Sequence, residues 1–381
     1  MRRPSPLWLI PVAAALLLLI PAAVSAQTPI APTSVPAHGA GGAVFTMSNA
    51  VTGNSVIAYR IGSGGALIPS GTFSTHGLGT GSSLADSGAL ALTANHQFLL
   101  VVNAGSQSLT VFRVNTGSPG PLLTYVQETH SRGVVPVSVT VHGSIVYVLN
   151  AGNGVRKGNI AGYQMANTGW LTPIVGSLQF LSSRALTGPA QISFNPAGNV
   201  LVVTEKNTNL LDTFVVNSGG VAQAPSWTAS NGTTPYGFAW GKGGVLIVSD
   251  AATGALSSYT VSTAGALTVV SGSVVDGGIA PCWVAVTHGG TWVYTTNAHG
   301  STISTYTVGT GGSLTLLTSV AATTGAADTD MDVGGSHGQY LFVYDAGAGE
   351  IQQFGIGSTG GLTLLSAVYN LPATAEGLAT F

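Results

Sequence analysis

An all-β fold is the class this sequence predicts: a seven-bladed β-propeller of four-stranded antiparallel blades, its ring closed by a C-terminal strand that completes the N-terminal blade. Three observations predict it. A β-rich run ending in Asn, Asp or Glu, then a few small residues, then a second β-rich run, recurs seven times, at Asn49, Asn103, Asn150, Glu205, Asp250, Asn297 and Asp345. The copies are spaced 45 to 55 residues apart, which suits one blade with its connections and exceeds a leucine-rich or ankyrin unit. Finally, residues 375–381 read as the start of another unit and then stop, while nothing before Ala43 reads as an innermost strand. Pairing these two fragments removes two open sheet edges.

Taken in order, the elements divide the chain into three parts. Arg2 and Arg3, an apolar run from Leu7 to Ile20 and the small residues Val24-Ser25-Ala26 read as a secretory signal over residues 1–26, removed before Gln27. The apolar stretch is broken by Pro11 and Pro21 and falls short of the roughly 20 residues a membrane span requires. Residues 27–41 form a polar tail with Pro and Gly, expected to be flexible, and residues 42–381 hold the seven blades. Within a blade the strands are named a to d from the central channel outward. In the second blade, a lies near 89–93, b at 98–103, c at 108–114 and d at 122–128. Later a strands are expected near 137–141, 191–194, 237–240, 283–287 and 331–333. Turns such as Asn195-Pro196-Ala197-Gly198 and His288-Gly289-Gly290 separate a from b.

Composition narrows the function classes. Ten Lys and Arg stand against twelve Asp and Glu, and loss of the signal leaves eight against twelve, a formal charge of −4. Such a chain has no electrostatic reason to hold nucleic acid. Export and an extracytoplasmic location, secreted or periplasmic, follow from the signal, and no membrane span is expected in the mature chain. Cys282 is the sole cysteine, so no intrachain disulfide forms; it is read as a small buried residue beside Trp283, with a reactive thiol as the sharper alternative. No cofactor or metal is expected. The histidines show no zinc-ligand spacing, and Asp328, Asp330 and Asp332 lack the glycine and acidic residue a calcium loop wants at positions 333 and 339.

In a propeller the d-to-a and b-to-c connections share one face around the channel mouth. That face gathers Asp86, Pro136, Gln191, Tyr236, Trp283, Asp330 and Glu376 with the seven strand-b termini. Asn or Asp at those termini sets a turn by bonding backbone two residues on. Glu205 is a poorer turn former and so the candidate general base, against the alternative of a solvated surface carboxylate. Arg156, Lys157 and Lys206 are either binding groups for a carboxylated or phosphorylated substrate or solvated loop charges, and Arg132 is a weaker member of the group. Gln191, Tyr236 and Trp283 would line the pocket.

The stretch from Gly188-Pro189-Ala190-Gln191 to Thr204-Glu205-Lys206-Asn207, with Thr234-Pro235-Tyr236-Gly237 and Ala280-Pro281-Cys282-Trp283, resembles the seven-bladed propeller lactonases, which include 6-phosphogluconolactonases and carboxymuconate lactonizing enzymes. The resemblance spans the mature chain. It implies a carboxylate at Glu205, but the family's arginine position holds Ala190, its neighbouring histidine Gln191, and another arginine falls near Ala251. The 135–138 stretch, Val-Pro-Val-Ser, also lacks the family's further histidine. Opening a lactone needs an activated water and a stabilised oxyanion; a lone carboxylate supplies the first, and Arg156 or Lys157 would have to supply the second. Tyr294-Thr295-Thr296-Asn297 is also similar to repeats of secreted surface-layer propellers. Two readings therefore stay open: an exported lactonase-like hydrolase, and a non-catalytic propeller that binds a small molecule, an extracellular protein or a glycan.

Overall fold

The computed structural model describes residues 41–117, 120–182, 186–325 and 327–381; the signal reading and nearly all of the 27–41 tail lie outside them. Seven antiparallel sheets follow one another along the chain. Six are formed of consecutive strands, and the first is not: its innermost strand is Glu376–Thr380, paired with Ala43–Met47. Strand a of every blade packs against strand a of the next, and Glu376–Thr380 contacts both Leu90–Leu92 and Asp328–Gly334, which closes the ring. No helix among the described residues is long and apolar enough to cross a membrane.

Closure is secured by more than one ladder. Asp330 and Asp332, which the sequence shows as an acidic cluster, project from strand a of blade 7, and their Oδ2 atoms accept Leu378 N–H and Thr380 N–H at 2.9 Å each. The acids thus tie the last strand to its neighbour, and among the described residues no group of three acidic, His or Cys side chains is arranged to hold a metal ion. Phe381 stacks on His96 of blade 2 at 4.8 Å and on Phe45 at 6.3 Å.

Between blades the core is a succession of apolar clusters, stitched by fully buried tyrosines. Tyr147, Tyr163 and Tyr306 each reach into a neighbouring blade and donate to the carbonyls of Gly220, His130 and Val274 at 2.7, 2.6 and 2.9 Å. Each ring is buried without stranding its hydroxyl.

Strands b and c of blade 2 lie at Phe98–Asn103 and Ser108–Val114, as the sequence indicates, and strand d runs Leu123–His130. The a strands of blades 3 to 6 begin earlier than expected, at Pro136, Pro189, Pro235 and Pro281. Proline at a strand's first position forfeits no ladder bond. The residue before it is left-handed in each case: Val135 (φ 56°), Gly188 (59°), Thr234 (59°) and Ala280 (58°). That kink steers the chain from the outer strand into the channel, and the freed carbonyl is used: Ala151, Lys206, Ala251 and Ala298, just after strand b, donate to it at 2.8, 3.1, 3.0 and 3.0 Å. A register shift follows within the first three residues of each of these strands, so the side chains at the rim are re-aimed.

Candidate functional site

The strand-b termini are not free turn formers. In five blades a d-to-a glycine lies flat on the side chain of that terminus: Gly77 on Asn103, Gly133 on Asn150, Gly232 on Asp250, Gly278 on Asn297 and Gly325 on Asp345. A Cβ at any of these glycines would come within 2.4 Å of the amide or carboxylate. The side chains then bond across to the d-to-a loop and to strand c. Asn150 Nδ2 donates to Ser131 O at 3.1 Å, and Asn103 Nδ2 to Thr110 Oγ1 at 2.9 Å. Asp250 accepts from Ser230 Oγ at 3.1 Å and from Ser257 Oγ at 2.5 Å. The expected bond to backbone two residues on gives way to a clamp between loop and sheet; Asp345, which accepts Ala348 N–H at 3.0 Å, retains a local turn bond.

Glu205 occupies the same slot in blade 4, at the end of Val200–Glu205, and is fully buried. Here the d-to-a loop presents Ser182. The extra methylene lets the carboxylate accept Ser182 N–H at 3.0 Å and the Ser182 hydroxyl, while Thr208 Oγ1 donates at 2.5 Å. Asp212, on strand c, is also fully buried, close enough for the Glu205 charge to act on it; burial first, then that charge, raise its carboxyl to about 9. A carboxyl at that value keeps its proton at neutral pH. Sequence reasoning passed over Asp212, whose signal is a single acid inside the run Leu210-Leu211-Asp212-Thr213-Phe214.

The channel mouth is occupied by the chain itself. Residues 84–88 lie across it and bond to four blades. Leu84 N–H donates to Glu376 Oε1 at 3.0 Å, and Ala85 O accepts the Lys206 ammonium. Trp283 Nε1 donates to Asp86 O at 2.8 Å, Ser138 Oγ to Ser87 O at 2.7 Å, and Ser87 N–H to Ala190 O at 2.9 Å. Lys206 lies 4.5 Å over the Tyr236 ring, which meets Trp283 edge-on at 5.2 Å. Beneath the strap Asp86, Asp330 and Glu376 are buried together; burial raises all three, Glu376 to about 7, and lowers Lys206. Cys282 is buried here, its thiol pushed up to about 12 by burial, so it is an un-ionised core residue. Gln191 clamps blade 5 by accepting Phe238 N–H at 2.7 Å and donating to Phe238 O at 3.0 Å.

Away from the axis, a cleft of about 710 Å³ opens on the same face between the 131–135 connection and the 152–158 loop. It is lined by Arg132, Arg156 and Lys157 with Val134, Val155, Leu178 and Phe180, and among the described residues no acidic side chain lines it. The geometry therefore brings Arg156 and Lys157 together with Arg132, sets Lys206, Gln191, Tyr236 and Trp283 around the axial strap, and leaves Glu205 in neither group.

Residues 242–376 match the sequence profile of the family described as lactonase, 7-bladed beta-propeller. No curated protein matches the chain in sequence. Among solved structures, a Bacteroides fragilis protein described as a candidate 6-phosphogluconolactonase is 15% identical, with a TM-score of 0.72 over 90% of this chain and 98% of that one. The Pseudomonas aeruginosa periplasmic gluconolactonase is 15% identical, with a TM-score of 0.70 over 90% and 98%. Virginiamycin B lyase from Staphylococcus aureus is 13% identical, with a TM-score of 0.54 over 77% and 88%. At these identities the likeness concerns the fold, and one fold hosts unlike chemistries. The chain is a seven-bladed propeller, and its residues 242–376 are similar to the family described as lactonase, 7-bladed beta-propeller.

Proposed function

We propose that this protein is an exported propeller of lactonase type that binds a small molecule on the rim of its channel face and does not open lactones. The observation that carries this reading is the position of Glu205. A general base must reach a water held against the substrate; this carboxylate is spent on Ser182 and Thr208 in a fully buried site. The positions where the resemblance implies an arginine and a histidine hold a buried Ala190 and Gln191, which is engaged with Phe238. The axial approach is crossed by residues 84–88. The cleft supplies cations without a base, a set suited to holding an anion. Export rests on the N-terminal signal pattern, and the small charge content accords with it.

A panel of δ-gluconolactone, its 6-phosphate, a homoserine lactone and an aromatic lactone, followed by pH-stat, tests the reading. Hydrolysis at the uncatalysed rate is expected. Saturable hydrolysis of any of the four would overturn it. N-terminal sequencing of protein recovered outside the cytoplasm checks the export, with Gln27 as the expected first residue.

A further inference from the structure

The ligand class follows from how the rim cleft is built, and the inference rests on the binding reading above. Arg132 is a strained placement: its φ is 63°, in the left-handed region, and its backbone N–H is held by His130 Nδ1 at 2.8 Å. Non-glycine residues are kept there only when their surroundings over-determine them. The surroundings here are three acceptors on one guanidinium nitrogen, Gly162 O at 3.3 Å, Ile174 O at 3.2 Å and Ser177 Oγ at 3.1 Å. Among the described residues, Nη2 and Nε of Arg132 have no protein partner, so a fixed cation faces the cleft with donors to spare.

The opposing loop is equally tied. Asn153 Oδ1 accepts Val155 N–H at 3.2 Å and Arg156 N–H at 2.9 Å, while Asn153 N–H donates to Arg156 O at 3.1 Å. Gly152 and Gly154 are left-handed (79° and 82°), and a Cβ on Gly152 would strike Arg156 O at 2.5 Å. The loop therefore presents Arg156 and Lys157 in a set geometry, so little ordering is left to the binding step. Lys157 Nζ lies 5.6 Å over the Phe180 ring, which is half exposed, and Val155 is almost wholly exposed. Apolar side chains this open at the edge of three cations form a surface with a place for an apolar body beside a place for charge.

We propose that the cleft binds an organic monoanion or dianion with an aromatic or apolar body, its carboxylate or phosphate between Arg132, Arg156 and Lys157 and its body on Val155, Leu178 and Phe180. Among the described residues no acidic side chain lines the cleft to oppose an anion.

Phenyl phosphate is the probe, titrated by calorimetry into the wild type, an Arg156→Glu/Lys157→Glu double variant, a Phe180→Ala variant and Lys242→Glu, a control at an a-to-b turn on the opposite face. Binding to the wild type is expected, with a loss of about tenfold or more in the double variant, the equivalent of about 1.4 kcal/mol. Phe180→Ala should lose several-fold, inorganic phosphate should bind more weakly than phenyl phosphate, and Lys242→Glu should match the wild type, all with unchanged circular dichroism. No binding at about 10 mM, equal binding by the double variant, or equal loss in Lys242→Glu overturns the site. Binding lost in the double variant while the wild type hydrolyses a lactone would leave the cleft standing and remove the non-catalytic reading; no binding with no hydrolysis would remove the cleft alone.

Discussion

Asp212 shows how a single buried acid governs behaviour over a wide pH range. Its carboxyl stands at about 9 in the folded protein against 3.8 when unperturbed. A group raised on folding contributes stability that is complete below its unfolded value and is lost as pH rises through the folded one. Asp212→Asn keeps the side chain's shape and removes the titration, so the variant should melt near the wild-type temperature at pH 5 and above it at pH 9. Calorimetric melting at both pH values measures this; parallel curves for the two proteins would contradict it. The sequence displays Glu205 as an exception among Asn and Asp and so invites a chemical role. What it does not display is Ser182, 23 positions upstream, whose N–H and hydroxyl the longer side chain accepts across a contact visible in three dimensions alone.

Among elements, the proline-started inner strands have the clearest local logic. Thr234 is a β-branched residue at φ 59°, a conformation that strains any residue with a Cβ and β-branched ones most. Blade 4 uses Gly188 at the equivalent position. Thr234→Gly should therefore raise stability by about 0.5–1 kcal/mol, the relief of strain exceeding the entropy that glycine adds to the unfolded chain. Chemical denaturation measures it, and destabilisation by a similar amount would contradict the strain argument. The strap across the mouth is a second element with a separable bond. Trp283→Phe removes the donor to Asp86 O while keeping an aromatic ring against Tyr236, and a loss of about 1 kcal/mol is expected. Strands b and c were legible because their alternation and turns are local. The early starts of the a strands were not, because proline there reads as a break until the left-handed residue before it is seen to use its carbonyl.

For the whole molecule, ring closure was legible from an incomplete last repeat, and its fastening by Asp330 and Asp332 was not, since three alternating acids do not reveal which backbone N–H groups they accept. Deleting residues 376–381 exposes both edges and strands those two carboxylates; a loss of about 5 kcal/mol or more, some 10 °C in Tm, or failure to fold, is expected, and unchanged melting would contradict closure. Burial raises Asp328 to about 8, Glu376 to about 7, and Asp250 and Asp332 to about 6. With Asp212 these share one sign, so stability should fall as pH rises from about 4 to 9; Lys206 and His96, both lowered by burial, oppose them. In the proposed reading the propeller shares its fold with solved gluconolactonases while Glu205 serves structure. Glu205→Gln, assayed side by side for melting temperature and for hydrolysis of the lactone panel, tests it most directly: a Tm lowered by several degrees with hydrolysis at the uncatalysed rate in both proteins is predicted, and hydrolysis by the wild type that vanishes in a variant of unchanged Tm would contradict it.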